Sequence, residues 1–267
     1  MGRHELEYPK DATNKVKRHD ERASYALKTI HGLINSSPIV HVSFNIASSP
    51  FPVTLPMIGQ MGSFARPSAD ISDPLDLYVH GYVSSRLMNL GRNASSSSGE
   101  GDADTKGLPV CVCVSHVDGI VLALSSFSHS YNYRSAVLFG HATLVEDNEE
   151  KLYAMELITN GVVPDRWRHT RLPVTNAELQ STSLLRISIA SGSAKIREGN
   201  ASDERHDLAN QELVDKTWTG VLPLYQAAGE PVPSSYSKAD FPAHLEEFAK
   251  DFSSENKEHS AKVAMNK

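Results

Sequence analysis

Residues 108–147 leave this chain little choice of fold. LPVCVCVSHV (108–117) and IVLALSS (120–126) flank Asp118-Gly119, and SAVLFGHATLVED (135–147) follows. Apolar and β-branched residues fill all three runs, and Asp-Gly suits a two-residue type I′ turn, so the pattern predicts a hairpin with a third strand behind it. The nearly continuous apolar character of the first two runs predicts strands with both faces covered. Cys111 and Cys113, the two cysteines of the chain, fall on one face of the first run. They are too few to build a metal centre and are expected to be small core residues.

The remaining elements repeat this bias towards strands. SYALKTIHGLINSS (24–37) carries Ala26, Ile30, Leu33 and Ile34 at helical spacing. Strands are expected at 38–47, 51–59, 75–81, 183–198 and 218–224. Short helices are expected near 84–91 and 175–182, and a longer one over 146–162 with Gly161 as its stop. NASSSSGEGDADTKG (93–107) is too polar to bury a core. With about seven strands, few helices and no strand–helix alternation, the expectation is a closed or half-open barrel. Residues 1–20 are expected to form a flexible tail, 21–225 one barrel domain with a disordered loop at about 92–107, and 226–267 an extension with a short helix.

Composition excludes several functions. A net charge of −6 over 267 residues gives no general attraction to phosphate polymers, and the basic, aromatic PDRWRHTR (164–171) is too short to reverse that, so no nucleic acid is expected. The charged N-terminus has no apolar core of a signal peptide, and no apolar run approaches about 18 residues, so neither export nor a membrane span is expected. A cytoplasmic protein is the default. The twelve histidines show no HExxH spacing, and GxGxxG and P-loop motifs are missing.

Three polar segments stand out. LDLYVHGYVSSRLMNL (75–90) ends a strand at His80-Gly81 and opens a helix near Ser84, where Ser85 and Arg86 could grip a phosphate; Ser84 as a plain N-cap with a solvated Arg86 fits the same pattern. SHSYNYRS (128–135) carries more chemistry than a hairpin turn needs, with Asn132, Tyr133, Arg134 and Ser135 leading into the next strand. It reads as the border of a ligand or as a polar cap on the barrel end. In SGSAKIREG (191–199), Ser193, Lys195 and Arg197 share one strand face, either towards an anion or as a solvated basic edge. Trp218 could cover a planar ring or fill a core.

LYVHGYVSSRL (77–87), DGIVLALSSFSHSYNYRSAVLFGHATLVED (118–147), PDRWRHTRLPVTNAELQST (164–182), SAKIREG (193–199) and WTGVLPL (218–224) together resemble the FMN-binding split-barrel superfamily, closest to its pyridoxamine 5′-phosphate oxidase-like and nitroimidazole-reductase-like members. The resemblance implies a six-stranded antiparallel split β-barrel with flanking helices, a homodimer, and FMN at the subunit interface. Val53, Thr54, Leu55 and Pro56 would line the flavin ring; His80, Gly81, Ser85 and Arg86 would face its phosphate with Asn132, Tyr133, Arg134 and Ser135 nearby; Trp218 would approach from one subunit. Lys195 and Arg197 would stabilise the reduced, anionic flavin. Where related oxidases carry Arg-Lys, this chain has Arg86-Leu87. The implied function is an FMN-dependent oxidoreductase acting on a small molecule, with no catalytic side chain assigned and no metal. The alternatives are a non-catalytic carrier of flavin, or of haem through His80 or His129, and a barrel that only dimerises.

Overall fold

The computed structural model describes residues 5–96 and 106–266. Among these, nine strands form one mainly antiparallel sheet: β1 (Ala23–Ser24), β2 (Val40–Phe44), β3 (Val53–Met57), β4 (Gly59–Gly62), β5 (Asp76–Tyr82), β6 (Leu108–Leu122), β7 (Ser130–Leu144), β8 (Thr182–Arg197) and β9 (Gly220–Pro223). Seven lie on one path in the order β3-β2-β6-β7-β8-β5-β4, with β1 added to β8 and β9 to β6.

The two ends of that path are neighbours in sequence. Only Ile58 separates β3 from β4, so the sheet must curl until its edges meet. β3 pairs with β2 (Val42↔Leu55) and β4 with β5 (Met61↔Leu77). Residues 53–62 thus act as one bent strand serving both edges, and counted this way the ring has the six members expected of a split barrel. Gly59 sits at the bend, where a Cβ would lie 3.1 Å from Val40 Cγ2 on β2 and 3.0 Å from Val79 Cγ1 on β5. Lacking a side chain, it lets both edges approach.

Helices α1 (Leu27–Asn35), α2 (Arg86–Ser96), α3 (Asn148–Val162) and α4 (Asn176–Ser181) accompany the barrel. α1 contributes Leu27, Ile30, Leu33 and Ile34 to the same core as Val40, Val112 and Ile187, following its helical spacing. Asp147 caps α3 by accepting from the Glu150 amide. The buried Glu150 carboxylate accepts from Tyr78 Oη at 2.9 Å and Arg186 Nη1 at 3.1 Å, which ties α3 to β5 and β8. No helix among the described residues is long and apolar enough to cross a membrane.

The chain divides into two compact units, residues 1–115 with 135–195 and residues 116–134 with 196–267. The first is the barrel. The second takes the ends of β6 and β7 together with β9, α5 (Arg205–Leu208), α6 (Gln211–Lys216) and α7 (Ala243–Met265). α7 has 23 residues, far more than the short helix expected there.

Several expectations fail for local reasons. Asp118-Gly119 is not a turn, because β6 runs straight through it. Asp118 is buried beside an arginine, and a Cβ at Gly119 would lie 2.8 Å from Val221 Cγ1, so the glycine admits β9. The reversal falls at residues 123–129, where His129 Nδ1 accepts from the Ala123 amide at 3.0 Å. Cys111 and Cys113 are half-buried on the outer face, since Val110, Val112 and Val114 take the inner positions. Gly161 lies within α3, where a Cβ would run into the Gln60 side chain. The helical start of the expected loop belongs to α2, and residues 97–105 of that loop lie outside the described residues.

Residues 5–20 are held rather than loose. Asn14 Nδ2 donates to the Pro9 and Gly192 carbonyls, and Tyr8 is buried against α1. His31 on α1 is fully buried, its Nε2 2.6 Å from Tyr8 Oη and its Nδ1 3.0 Å from the Ile71 carbonyl. The carbonyl can only accept, so Nδ1 carries the proton and Nε2 accepts from the tyrosine. Burial lowers the imidazole pKa to about 4, whereas in the unfolded chain it is about 6.5. Below that value the unfolded chain takes up a proton that the folded chain refuses. Stability is therefore complete above it and lost as pH falls towards the folded pKa, by roughly 2 kcal/mol between pH 7 and 5. Urea unfolding at those two pH values should show this loss in the native protein and much less of it in His31→Gln; equal losses would clear His31 of the effect.

Candidate functional site

The site begins with the alternation of β5. Leu77 and Val79 point into the barrel core, while Tyr78 joins the smaller cluster under α3 with Ala154 and Ile158. His80 follows on the Tyr78 side. Gly81 packs on α2, where a Cβ would lie 2.8 Å from Met88 Cε. The Ser85 carbonyl accepts from the Asn89 amide at 3.0 Å and so opens α2. Arg86 is the first helical residue and is exposed. His80, Gly81, Ser85 and Arg86 thus lie within one strand end and one helix start, as their spacing suggested.

A cleft of about 430 Å³ opens beside His80, within the range of small-molecule sites. α3 lends it Met155, Ile158 and Thr159, the following loop Trp167, Thr170, Arg171, Leu172 and Val174, and α4 Glu178. The loop is braced at both ends. Asn160 Oδ1 accepts from the Trp167 amide at 2.9 Å, and Thr175 and Glu178 form a capping box. Arg171 donates to Glu178 Oε1 at 2.5 Å and to the Pro173 carbonyl at 2.9 Å, which with the capping bonds lowers the Glu178 pKa to about 2. His80 keeps open surface, yet the walls around it desolvate the imidazole and lower its pKa. At neutral pH the cleft therefore offers an uncharged imidazole, an indole and a guanidinium among apolar side chains.

Trp167, Thr170 and Arg171 were not among the residues expected to form a site. Their segment, PDRWRHTR, is basic and aromatic but too short in an acidic chain to suggest nucleic acid. Its usable signal was a tryptophan in a stretch without apolar periodicity, which makes a loop wall more plausible than a core position.

Of the expected residues, His80 lines this cleft, Gly81, Ser85 and Arg86 stand at the adjoining strand end and helix start, and the rest lie on other elements. On β3, Val53 and Leu55 pack against the barrel core while Thr54 and Pro56 are exposed, and Thr54 Oγ1 lies 2.9 Å from Ser43 Oγ. Ser135 donates to the Lys195 carbonyl at 3.2 Å and Lys195 Nζ to the Arg18 carbonyl at 2.6 Å. Ser193 is buried, so the stripe with Lys195 and Arg197 is not a solvated edge; β8 lies between β7 and β5.

Asn132, Tyr133, Arg134, Arg197 and Trp218 belong to the second unit. There Arg197 is buried and donates to Asn132 Oδ1 and the Asn200 carbonyl, while Asn132 Nδ2 donates to the Gly199 carbonyl. Arg134 makes two bonds of 2.8 Å to the Asp118 carboxylate, with His259 of α7 3.6 Å from the same group. Tyr133 is half-buried, and the exposed Trp218 ring covers Gly220, where a Cβ would lie 2.8 Å from it.

A split barrel with an imidazole-lined cleft defines a class, and the comparisons give the family. The family described as pyridoxamine 5′-phosphate oxidase matches residues 27–196, and the chain belongs to it. Among curated proteins no match is found. The flavocytochrome Anf3 from Azotobacter vinelandii is similar in structure at a TM-score of 0.69 and 26% identity, over 91% of this chain and 99% of its own. The FAD and haem binding protein from Mycobacterium smegmatis is similar at 0.67 and 26%, over 85% of this chain and 97% of its own.

The Asp118–Arg134 pair can be tested as structure rather than ligand contact. Asp118 is 4% exposed and Arg134 20%, so Arg134→Ala strands a buried carboxylate and should cost about 3 kcal/mol. Chemical denaturation without added cofactor should show the loss. Unchanged stability in that variant would return Arg134 to the pool of ligand-binding residues.

Proposed function

We propose that this protein binds a flavin nucleotide and works as a flavin-dependent oxidoreductase on a small molecule. The family match over 27–196 is the observation that carries this reading. The adenine dinucleotide is favoured over FMN, because the M. smegmatis protein named for FAD is similar over 85% of this chain. The flavin would exchange electrons with donor and acceptor, and the protein's part is to bind and orient it. Ser85 and Arg86 would take phosphate oxygens at the α2 start, where free amides and the helix dipole favour an anion. As in the resembling oxidases, the proposed unit is a homodimer with the flavin at its interface.

A second cofactor, haem, is favoured by a separate observation. Similarity to the flavocytochrome covers 91% of this chain, well beyond the family match, and so takes in much of the second unit. His80 is the fitting iron ligand, since a neutral imidazole has a lone pair to give and stands here in an apolar cleft. Arg171 could meet a haem carboxylate if Glu178 yields it. His129 fits poorly: its Nδ1 accepts from the Ala123 amide, so in the neutral ring the proton sits on Nε2, which then has no lone pair to offer.

The purified protein should show flavin absorption, with chromatography of the released cofactor giving FAD. Arg86→Ala should lose flavin. His80→Ala should remove a Soret band while leaving flavin in place. Colourless protein that takes up neither FMN nor FAD would refute the flavin reading, and flavin without a Soret band after haem addition would refute the second.

A further inference from the structure

Between β9 and α7 the chain runs in a way its own fold does not explain. Every residue from 222 to 243 is exposed, and no helix or strand occurs between Pro223 and Ala243. This stretch is rich in Pro and Ser, yet it also exposes large apolar side chains. QAAGEPVPSSYSKADFP (226–242) carries Val232 91% exposed, Tyr236 84% and Phe241 47%, with Trp218 63% exposed and Tyr225 47% just before it. Its two ends are tied to α7, by the Ala228 amide to Ser253 Oγ at 3.0 Å, Asn256 Nδ2 to the Gln226 carbonyl at 3.2 Å and the Leu245 amide to the Pro242 carbonyl at 3.0 Å, while the middle shows one local bond, from the Ser237 amide to the Ser234 carbonyl.

The helix that follows has the same deficit. α7 is about 35 Å long, yet its buried residues, Ser260 and Val263, both lie in its C-terminal part. Leu245, Phe248 and Phe252 form a half-covered stripe at helical spacing, and the two phenylalanine rings lie 5.8 Å apart. A helix in water draws most of its stability from packing such a stripe. An arm with exposed apolar side chains and a half-covered helix face thus occur in the same unit, and neither is fully covered within it.

We propose that residues 229–241 form a docking arm that seats on the first turns of α7 in a second copy of this chain. Two-fold symmetry makes the exchange reciprocal, so each copy's arm covers the other's helix. The area supports a second copy: Val232, Tyr236 and Phe241 of the arm, together with Trp218 and Tyr225 ahead of it, offer roughly 600 Å², close to the ~800 Å² that each partner contributes to a stable interface. Pro231 and Pro233 restrict the free arm, so little conformational freedom is lost on docking. The inference deepens the homodimer proposed above and rests on it, but not on either cofactor.

The test uses the full chain as purified. Light scattering and sedimentation at micromolar concentration should show a dimer. Val232→Asp and Tyr236→Asp, both at surface positions that leave folding intact, should each weaken it about tenfold or more. Amides of 229–241 should be protected from hydrogen exchange at high protein concentration and lose that protection on dilution. A dimer whose dissociation constant ignores both substitutions would overturn the arm and spare the homodimer; a monomeric native protein would overturn both. Protection that persists in diluted monomer would show the arm packed on its own chain and end the proposal.

Discussion

The barrel depends on one bend. A single residue, Ile58, joins the two edge strands of the sheet, so the ring is closed by covalent chain where a backbone ladder would otherwise be needed. The gap between Val40 and Val79 is tight even for a methyl group at position 59, whose Cβ would lie 3.0–3.1 Å from the two valine side chains. Closure aims Leu77, Val79, Val112 and Ile187 at one interior. It also fixes which face of β5 looks outward, and with it the direction of His80. An open sheet of the same strands would deprive Leu77 and Val79 of the interior they now fill.

Much of the barrel was legible because period-two alternation and the α1 spacing are local signals. The turn at Asp118-Gly119 was misread for an equally local reason, since the dipeptide that best suits a hairpin also suits a strand crossed closely by another. What tells the two apart is the partner of Asp118, and Arg134 lies sixteen residues away. The cysteines show a related limit. VCVCV states that valines and cysteines face opposite ways, but not which set faces in.

Of the residues lining the candidate cleft, His80 was legible in the sequence. His80, Gly81, Ser85 and Arg86 are close in sequence, so their grouping follows from where the strand ends and the helix begins. For the expected cations the sequence does not show the protein partner, because a basic residue near a ligand and one that neutralises a buried acceptor look alike in sequence. Arg134 finds Asp118, Arg197 finds Asn132 and two carbonyls, and Lys195 finds the Arg18 carbonyl. Such partners are fixed by chain crossings that no local pattern reports. Arg171 and Trp167 were missed for the converse reason, since their loop acquires a role only by folding over α3.

The outward side of β5 shows how a reactive group is placed at little cost to the fold. Asp76, Tyr78, His80 and Tyr82 alternate along it. Burial raises the Asp76 pKa, with Arg186 opposing the rise, and Tyr78 is sealed under α3 by its bond to Glu150. At His80 the cover thins to the far part of α3 and the braced loop, and by Tyr82 the ring is 66% exposed. The inward partners Leu77 and Val79 remain fully buried throughout. One strand therefore anchors the core with its odd residues and grades from structural to solvent-facing with its even ones. The imidazole sits at the crossover, desolvated enough to stay neutral and open enough to meet a ligand. A position one pair earlier would be walled in by α3, and one pair later it would be fully hydrated and readily protonated.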